Sequence, residues 1–282
     1  MPLTHLSCTH CGFWHTWFER QDPMTLNCVL CSDVRNALPP DGWDYADAAR
    51  VAGTVRTQWK EFTPGIWGFW CEPRYGLAGT GWLILRDDGN VAFEGAPFYH
   101  DDALEQIERL GGIRVLGASH PHGYGALWQL QERFRPELVI HREDVRYTKA
   151  FHVSTVADDR HEVAPGLTLH HVGGHYEGQC VLHDQGRRAL FVGDSLKFDD
   201  FDADGRVHAL SCHKGYHYHI PLSKGELAHY RRVYEQLPFD RAFTPFEFAP
   251  NVGRDDALAL FDRLIAGRPT TEPLPMETAA HG

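Results

Sequence analysis

The sequence predicts a layered α/β protein, α+β in the stricter sense, behind a small segment held together by metal. Three observations lead there. From residue 43 onward, short strand-like runs are interrupted by helical ones; two CxxC pairs fall within the first 31 residues; and several histidines and an aspartate come directly after predicted strands. A chain of 282 residues with 43% hydrophobic side chains suits one large domain with an appendage better than two equal domains. The expected division is a ribbon over 1–42, a main domain over 43–267 and a flexible tail over 268–282.

The ribbon is expected to end at Pro39, Pro40, Asp41 and Gly42, a turn and linker signal. Asp44 to Trp59 reads as a short helix. Strands follow at Ile66 to Cys71, Gly81 to Leu85 and Asn90 to Phe93, with Asp87 to Asn90 as the hairpin turn between the last two. Asp101 to Leu110 is amphipathic and predicts a helix, Ile113 to Leu116 a strand, Gly125 to Phe134 a helix and Leu138 to His141 a strand. Leu167 to Val172, Cys180 to His183 and Ala189 to Val192 predict three more strands. Ser223 is placed to cap a helix running to Gln236. From Arg268 the chain is rich in Pro and Thr and poor in large apolar groups, which predicts a disordered tail. No internal repeat is present.

Charge and leader signals narrow the function. The net charge of −11, spread along the chain, disfavours a general nucleic-acid binder, since such affinity comes from Lys and Arg neutralising phosphates. The opening MPLTHLSCTHCG has no cationic start followed by an apolar run, and no stretch reaches the ~20 apolar residues of a membrane span. A soluble, cytoplasmic protein is expected. Seven cysteines, four of them in CxxC pairs, suit a reducing compartment and metal binding better than disulfides.

Cys8 and Cys11, then Cys28 and Cys31, can each place two thiolates on a tight turn and together complete a tetrahedral shell for zinc. Iron is the competing metal for such a site. So short a segment buries too little apolar surface to fold alone, so the metal would supply folding free energy. This structural metal is expected to be held independently of any other site. Cys71, Cys180 and Cys212 read as buried thiols.

In GASHPHGYG, His120 and His122 follow a predicted strand two residues apart, a spacing that turns both imidazoles one way in extended backbone. HHVGGHYEG then offers His175, and LFVGDS offers Asp194, each in a loop after a strand. Three imidazoles and a carboxylate suit zinc or iron with a position left for water. His170 and His171 read as strand residues, and His100, His141, His152 and His161 as surface or packing residues.

At these residues, from about Phe62 to Glu247, the chain resembles the metallo-β-lactamase superfamily, with its order of HxH, GGH and GD loops. The resemblance implies an αββα sandwich and a metal-dependent hydrolase acting on a small molecule. It implies His120, His122, His175 and Asp194 as ligands, Glu94 of VAFEG as the carboxylate supporting the histidine loop, and Glu247 of TPFEF where the superfamily often has a histidine. The usual HxHxDH motif departs here to Tyr124 and Gly125, which damages a second metal site and favours a single metal. Glu247, Tyr124 or one of His213, His217 and His219 are the residues that would rebuild one. The HPHxY loop and the IPL segment resemble a subset of the superfamily other than the antibiotic-degrading enzymes, so lactam hydrolysis is not implied.

Within that reading Asp194 anchors metal and orients water, Tyr124 donates to a developing oxyanion, and His219 or His217 passes a proton to the leaving group. Two other classes remain open at this stage. One is an iron-dependent oxygenase of thiols or persulfides, and the other a noncatalytic protein that docks a protein partner through the ribbon.

Overall fold

The computed structural model describes residues 3–18 and 27–276 and divides into two compact units, Met1–Ala157 and Asp158–Gly282.

In the first unit, β1 (Leu3–Cys8) pairs antiparallel with β2 (Trp14–Phe18) and with β3 (Tyr45–Asp47). A short helix α1 (Ala48–Thr54) follows, capped by Asp47, whose side chain accepts from the Arg50 amide. The expected helix to Trp59 therefore stops early. Val55 is extended, and Arg56–Thr63 becomes β4, whose β-branched and aromatic residues pair with β5 (Ile66–Glu72). Next come β6 (Gly81–Ile84), β7 (Val91–Phe93), α2 (Asp101–Arg109), β8 (Val115–Gly117), α3 (Leu127–Phe134), β9 (Glu137–His141) and β10 (Thr155–Ala157). One sheet orders these strands β10-β9-β8-β7-β6-β5-β4, antiparallel from β4 to β7 and parallel beyond. Every residue of β6, β7 and β8 is buried, which requires cover on both faces of the sheet.

The second unit holds β11 (Arg160–Ala164), β12 (Leu167–His171), β13 (Cys180–Asp184), β14 (Ala189–Phe191), β15 (Lys197–Phe201), β16 (Val207–Ser211), α4 (Lys224–Tyr234), β17 (Arg241–Phe243), β18 (Phe248–Ala249), α5 (Arg254–Ala266) and β19 (Leu274–Pro275). Its larger sheet runs β11-β12-β13-β14-β17-β18, with β14 and β17 parallel, and a smaller one runs β15-β16-β19. Ser223 caps α4 as expected and forms a reciprocal capping box with Glu226. Tyr230 and Tyr234 of α4 pack edge-on against Phe261 of α5, in a core with Val172, Val192, Leu196 and Leu210.

Sequence reading omits β1, β2, β3, β10, β11, β15, β16, β17, β18 and α5, and reads the start of β4 as helix. The expected tail also contains structure, because Leu274 pairs with Leu210 and extends the smaller sheet. Residues 277–282 of that tail lie outside the described residues.

Candidate metal centres

The N-terminal cysteines converge. The Cys8 and Cys31 sulfurs are 3.8 Å apart, those of Cys11 and Cys28 are 3.7 Å apart, and all four lie within 4.8 Å of one another. Zinc–sulfur bonds of about 2.3 Å at tetrahedral angles require S···S edges of about 3.8 Å, which the Cys8–Cys31 and Cys11–Cys28 pairs match. The first turn is closed by the Gly12 amide donating to the Cys8 carbonyl, with Gly12 at φ +80°, and the second by the Ser32 amide donating to the Cys28 carbonyl. His15, unmarked by any sequence pattern, is buried with Nε2 3.4 Å from the Cys28 sulfur. Hydrogen bonds from Cys11, Cys31 and Cys8 and from His15 hold the Cys28 thiol far below its ordinary range, while burial and the hydrogen bond to Cys28 push the Cys11 thiol well above it.

In the first unit, His120 and His122 follow β8 at the expected strand end. The backbone between them is not extended. Only His120 is, at φ −167°; Pro121–Tyr124 forms a 3-10 turn, which Pro121 initiates with its fixed φ and missing amide. The two imidazoles come together edge-to-face with centroids 5.1 Å apart, and His120 Nδ1 lies 2.7 Å from Ser119 Oγ.

Glu94 sits directly beneath this loop. It is 1% exposed and adopts φ +64°, its amide donates to the Gly117 carbonyl, and its carboxylate oxygens lie 3.3 Å from the Ser119 amide. A Cβ on Gly123 would lie 1.6 Å from Glu94 Oε2, so the glycine leaves room for the carboxylate. Tyr124 ends the same turn. Its side chain is buried beside Phe13 and Phe151, and its hydroxyl donates to the Asp144 carbonyl, an arrangement that fits packing beneath the loop.

In the second unit, Gly173 and Gly174 at φ +64° and +81° carry the chain from β12 to His175. Gly174 has no space for a side chain, because Tyr230 Oη would lie 2.3 Å from its Cβ while donating to the Gly173 carbonyl. His175 Nδ1 is 2.9 Å from the Lys214 carbonyl oxygen. A carbonyl can only accept, so Nδ1 donates, which is the arrangement by which a neutral histidine turns Nε2 toward a metal. That Nε2 is 3.5 Å from Asp194 Oδ2. Asp194 follows β14 through Gly193 at φ +54°, and its own carbonyl accepts from the Tyr216 hydroxyl at 2.8 Å.

No family model matches the sequence. Over 264 residues the chain is 26% identical to the uncharacterized protein YmaE of Bacillus subtilis (strain 168), covering 91% of this chain and 93% of that protein. The solved structure of VMB-1 matches 75% of this chain and 99% of its own at a TM-score of 0.55 and 13% identity. FIM-1 from Pseudomonas aeruginosa, a metallo-β-lactamase solved in a mono-zinc form, covers 76% of this chain and 98% of its own at a TM-score of 0.54 and 12% identity. A metallo-β-lactamase from Hirschia baltica, at a TM-score of 0.51 and 14% identity, covers 74% of this chain and 97% of its own.

The chain has the metallo-β-lactamase fold. Within that fold, the segment after the GD loop contacts His175 and Asp194 through groups that sequence reading passes over. By sequence its histidines are candidates for a second metal; the structure instead uses the Lys214 carbonyl and the Tyr216 ring, the latter stacked on His213 at 4.5 Å and edge-on to His175 at 5.3 Å. A backbone carbonyl leaves no residue-type signal, and only the aromatic at 216 is visible in sequence. Burial, with the nearby charges of Lys197 and His219 and against that of Asp194, pushes the buried His213 down to about 4. His217 and His219 are exposed on a turn closed by Gly215 and Ile220, with His219 at φ +51° and its ring 6.1 Å from that of His213. That exposure favours surface histidines over a proton donor fixed at a reacting centre.

Glu247 lies after β17 as the motif order requires. It is half-buried in the turn to β18, where Oε2 accepts from Thr244 Oγ1 at 2.7 Å. Its charge opposes the lowering of the Lys197 pKa, which burial drives. Cys71, Cys180 and Cys212 are all buried, and burial pushes Cys71 up to about 11 and Cys212 to about 12. Among the described residues no helix is long and apolar enough to cross a membrane.

Proposed function

We propose that the chain is a metal-dependent hydrolase of a small electrophilic substrate, with one zinc ion held by His120, His122, His175 and Asp194, and that the Cys8, Cys11, Cys28 and Cys31 shell holds a structural zinc. The observation that carries the reading is the pairing of His175 Nδ1 with the Lys214 carbonyl, which presents Nε2 beside the Asp194 carboxylate. Metal-ligating histidines are usually prepared in this way. The solution of FIM-1 with one zinc supports a single metal in this fold, and the replacement of the second-site ligands by Tyr124 and Gly125 supports it from the sequence.

A zinc ion at this position supplies Lewis acidity and a lowered pKa for water, from 15.7 to about 7. Asp194 would help hold the metal, and its carboxylate would orient a water bound there. Lys214 fixes the tautomer of His175 through its carbonyl, and Tyr216 holds the backbone of Asp194. Glu94, under the Ser119–Gly123 loop, keeps His120 and His122 in place. Tyr124 and His219 have no part in this scheme.

The test is a panel of esters, thioesters, lactones and phosphoesters with zinc-loaded protein, run beside oxygen uptake with iron-loaded protein and thiol or persulfide substrates. Hydrolysis that disappears in the His120→Ala, Asp194→Asn double variant is the expected result. Hydrolysis that persists in that variant overturns the site, and oxygen uptake without hydrolysis overturns the reaction class.

A further inference from the structure

We propose that the four-cysteine ribbon is a positioning element for the His120–His122 loop, acting through Phe13 and Leu30; the inference rests on reading that loop as half of a metal centre. Sequence spacing presents the ribbon as a separate module with an independent metal. Packing within the first unit does not.

Phe13 forms the link between the first cysteine turn and the loop. Its carbonyl accepts from the Cys8 amide, fixing it to a ligand residue. On one side its ring meets His15 at 5.0 Å, and His15 reaches the Cys28 sulfur. On the other it lies 6.4 Å from Tyr124, the last residue of the turn that contains His122. The Tyr124 hydroxyl donates to the Asp144 carbonyl, so its ring is held at both ends, by that bond and by its backbone in the turn.

Leu30, between the two cysteines of the second turn, supplies the second link. Together with Phe13 it faces Pro121, His122 and Gly125 across a cavity of about 20 Å³. That is room for about one water, so ribbon and loop are near neighbours with no ligand pocket between them.

The ribbon is also keyed to the backbone that supports the loop. A Cβ on Gly76 would lie 2.4 Å from Cys11 C and Gly12 N, the Leu77 amide donates to the Cys11 carbonyl, and Trp14 Nε1 donates to the Pro97 carbonyl. Two residues before Pro97, the Gly95 amide donates to the Gly123 carbonyl inside the histidine turn. Without a cation the cysteines take up protons and lose the bonds that tie the two turns together, so loss of the ribbon metal frees the turns that place Phe13 and Leu30.

The experiment uses full-length protein with both sites loaded and compares wild type with Phe13→Leu and Leu30→Ala, which keep all eight proposed ligands. Zinc affinity at the histidine site is read by competition with a chelator, and cobalt substitution separates the sites, since thiolate charge-transfer bands report the ribbon and d–d bands without them report the other. Both variants are expected to keep a full ribbon signal while the histidine site loses about tenfold in zinc affinity, the lower end for removal of a supporting residue, and shifts its d–d bands. Leu38→Ala, on an exposed ribbon side chain, should match wild type. Global destabilisation lowers the melting temperature but leaves the d–d bands of folded protein in place, so a band shift reports positioning. Wild-type affinity and bands in both variants overturn the proposal alone. A wild type that binds only the ribbon metal overturns the metal-centre reading and the proposal with it.

Discussion

Gly123→Ala tests how tightly Glu94 is built under the histidine loop. A methyl group at this position meets Glu94 Oε2 at 1.6 Å and Cδ at 2.6 Å, so the entire carboxylate must move. It has little freedom to do so, being 1% exposed on a backbone at φ +64°. Overpacking a close-packed interior costs about 1–3 kcal/mol, and displacing a carboxylate that supports a metal-bound histidine typically lowers affinity by about 10 to 100-fold. Urea unfolding of Gly123→Ala should therefore show a loss of about 2 kcal/mol, within that overpacking range, and zinc competition a loss of at least about tenfold at the histidine site. Glu94→Ala removes the obstruction, so the double variant should be less destabilised than the sum of the singles, with a coupling of about 1 kcal/mol or more for residues in contact. Strict additivity, or a Gly123→Ala protein within about 0.5 kcal/mol of wild type as for an ordinary surface change, would refute the placement of Glu94.

Three further outcomes are expected. Burial, with the nearby charges of His183 and Arg160, pushes His170 down to about 4, so the unfolded chain binds its proton first as pH falls from 6.5. The stability present above pH 6.5 is then lost progressively down to about pH 4, and His170→Gln should shrink the difference between urea midpoints at pH 7.5 and pH 5; an unchanged difference counts against the burial of that ring. Tyr216→Phe removes the donor to the Asp194 carbonyl and should cost about 1 kcal/mol in urea unfolding, whereas no loss of stability would mean that the hydroxyl does not hold the GD loop. Cys71 and Cys212, with their thiols raised and buried, should resist iodoacetamide at pH 8 in native protein and react once it is unfolded, a contrast that mass spectrometry of labelled peptides resolves.

Much of the fold is legible because its signals are local. The Asp87–Asn90 turn specifies a hairpin, Ser223 with Glu226 specifies a helix start, and the strand before each metal loop is a short apolar run. What escapes depends on partners distant in sequence. β4 carries Lys60 and Glu61 among its residues and becomes a strand through pairing with β5, and Leu274 becomes one because Leu210 offers it a sheet edge. α5 contains a readable helical signal in Ala257, Leu260, Phe261 and Leu264, the positions it buries.

The candidate site divides along a different line. Ligands are side chains, and their order in the chain suffices to nominate His120, His122, His175 and Asp194. What readies them is largely backbone: the Lys214 carbonyl that selects the His175 tautomer, the Asp194 carbonyl that anchors Tyr216, and the Gly123 position that Glu94 needs left vacant. A carbonyl has no residue type, and a vacancy is visible only as a glycine whose neighbour is unknown until the chain is folded. The hydrogen bond that Tyr124 donates to the Asp144 carbonyl is likewise invisible in the sequence, where only a hydroxyl near two histidines can be read. The ribbon enters the chemistry of the loop in the same way. Its cysteines announce a self-sufficient module, while Phe13, beside Tyr124, and Leu30, across a small cavity from His122, carry no chemical signal.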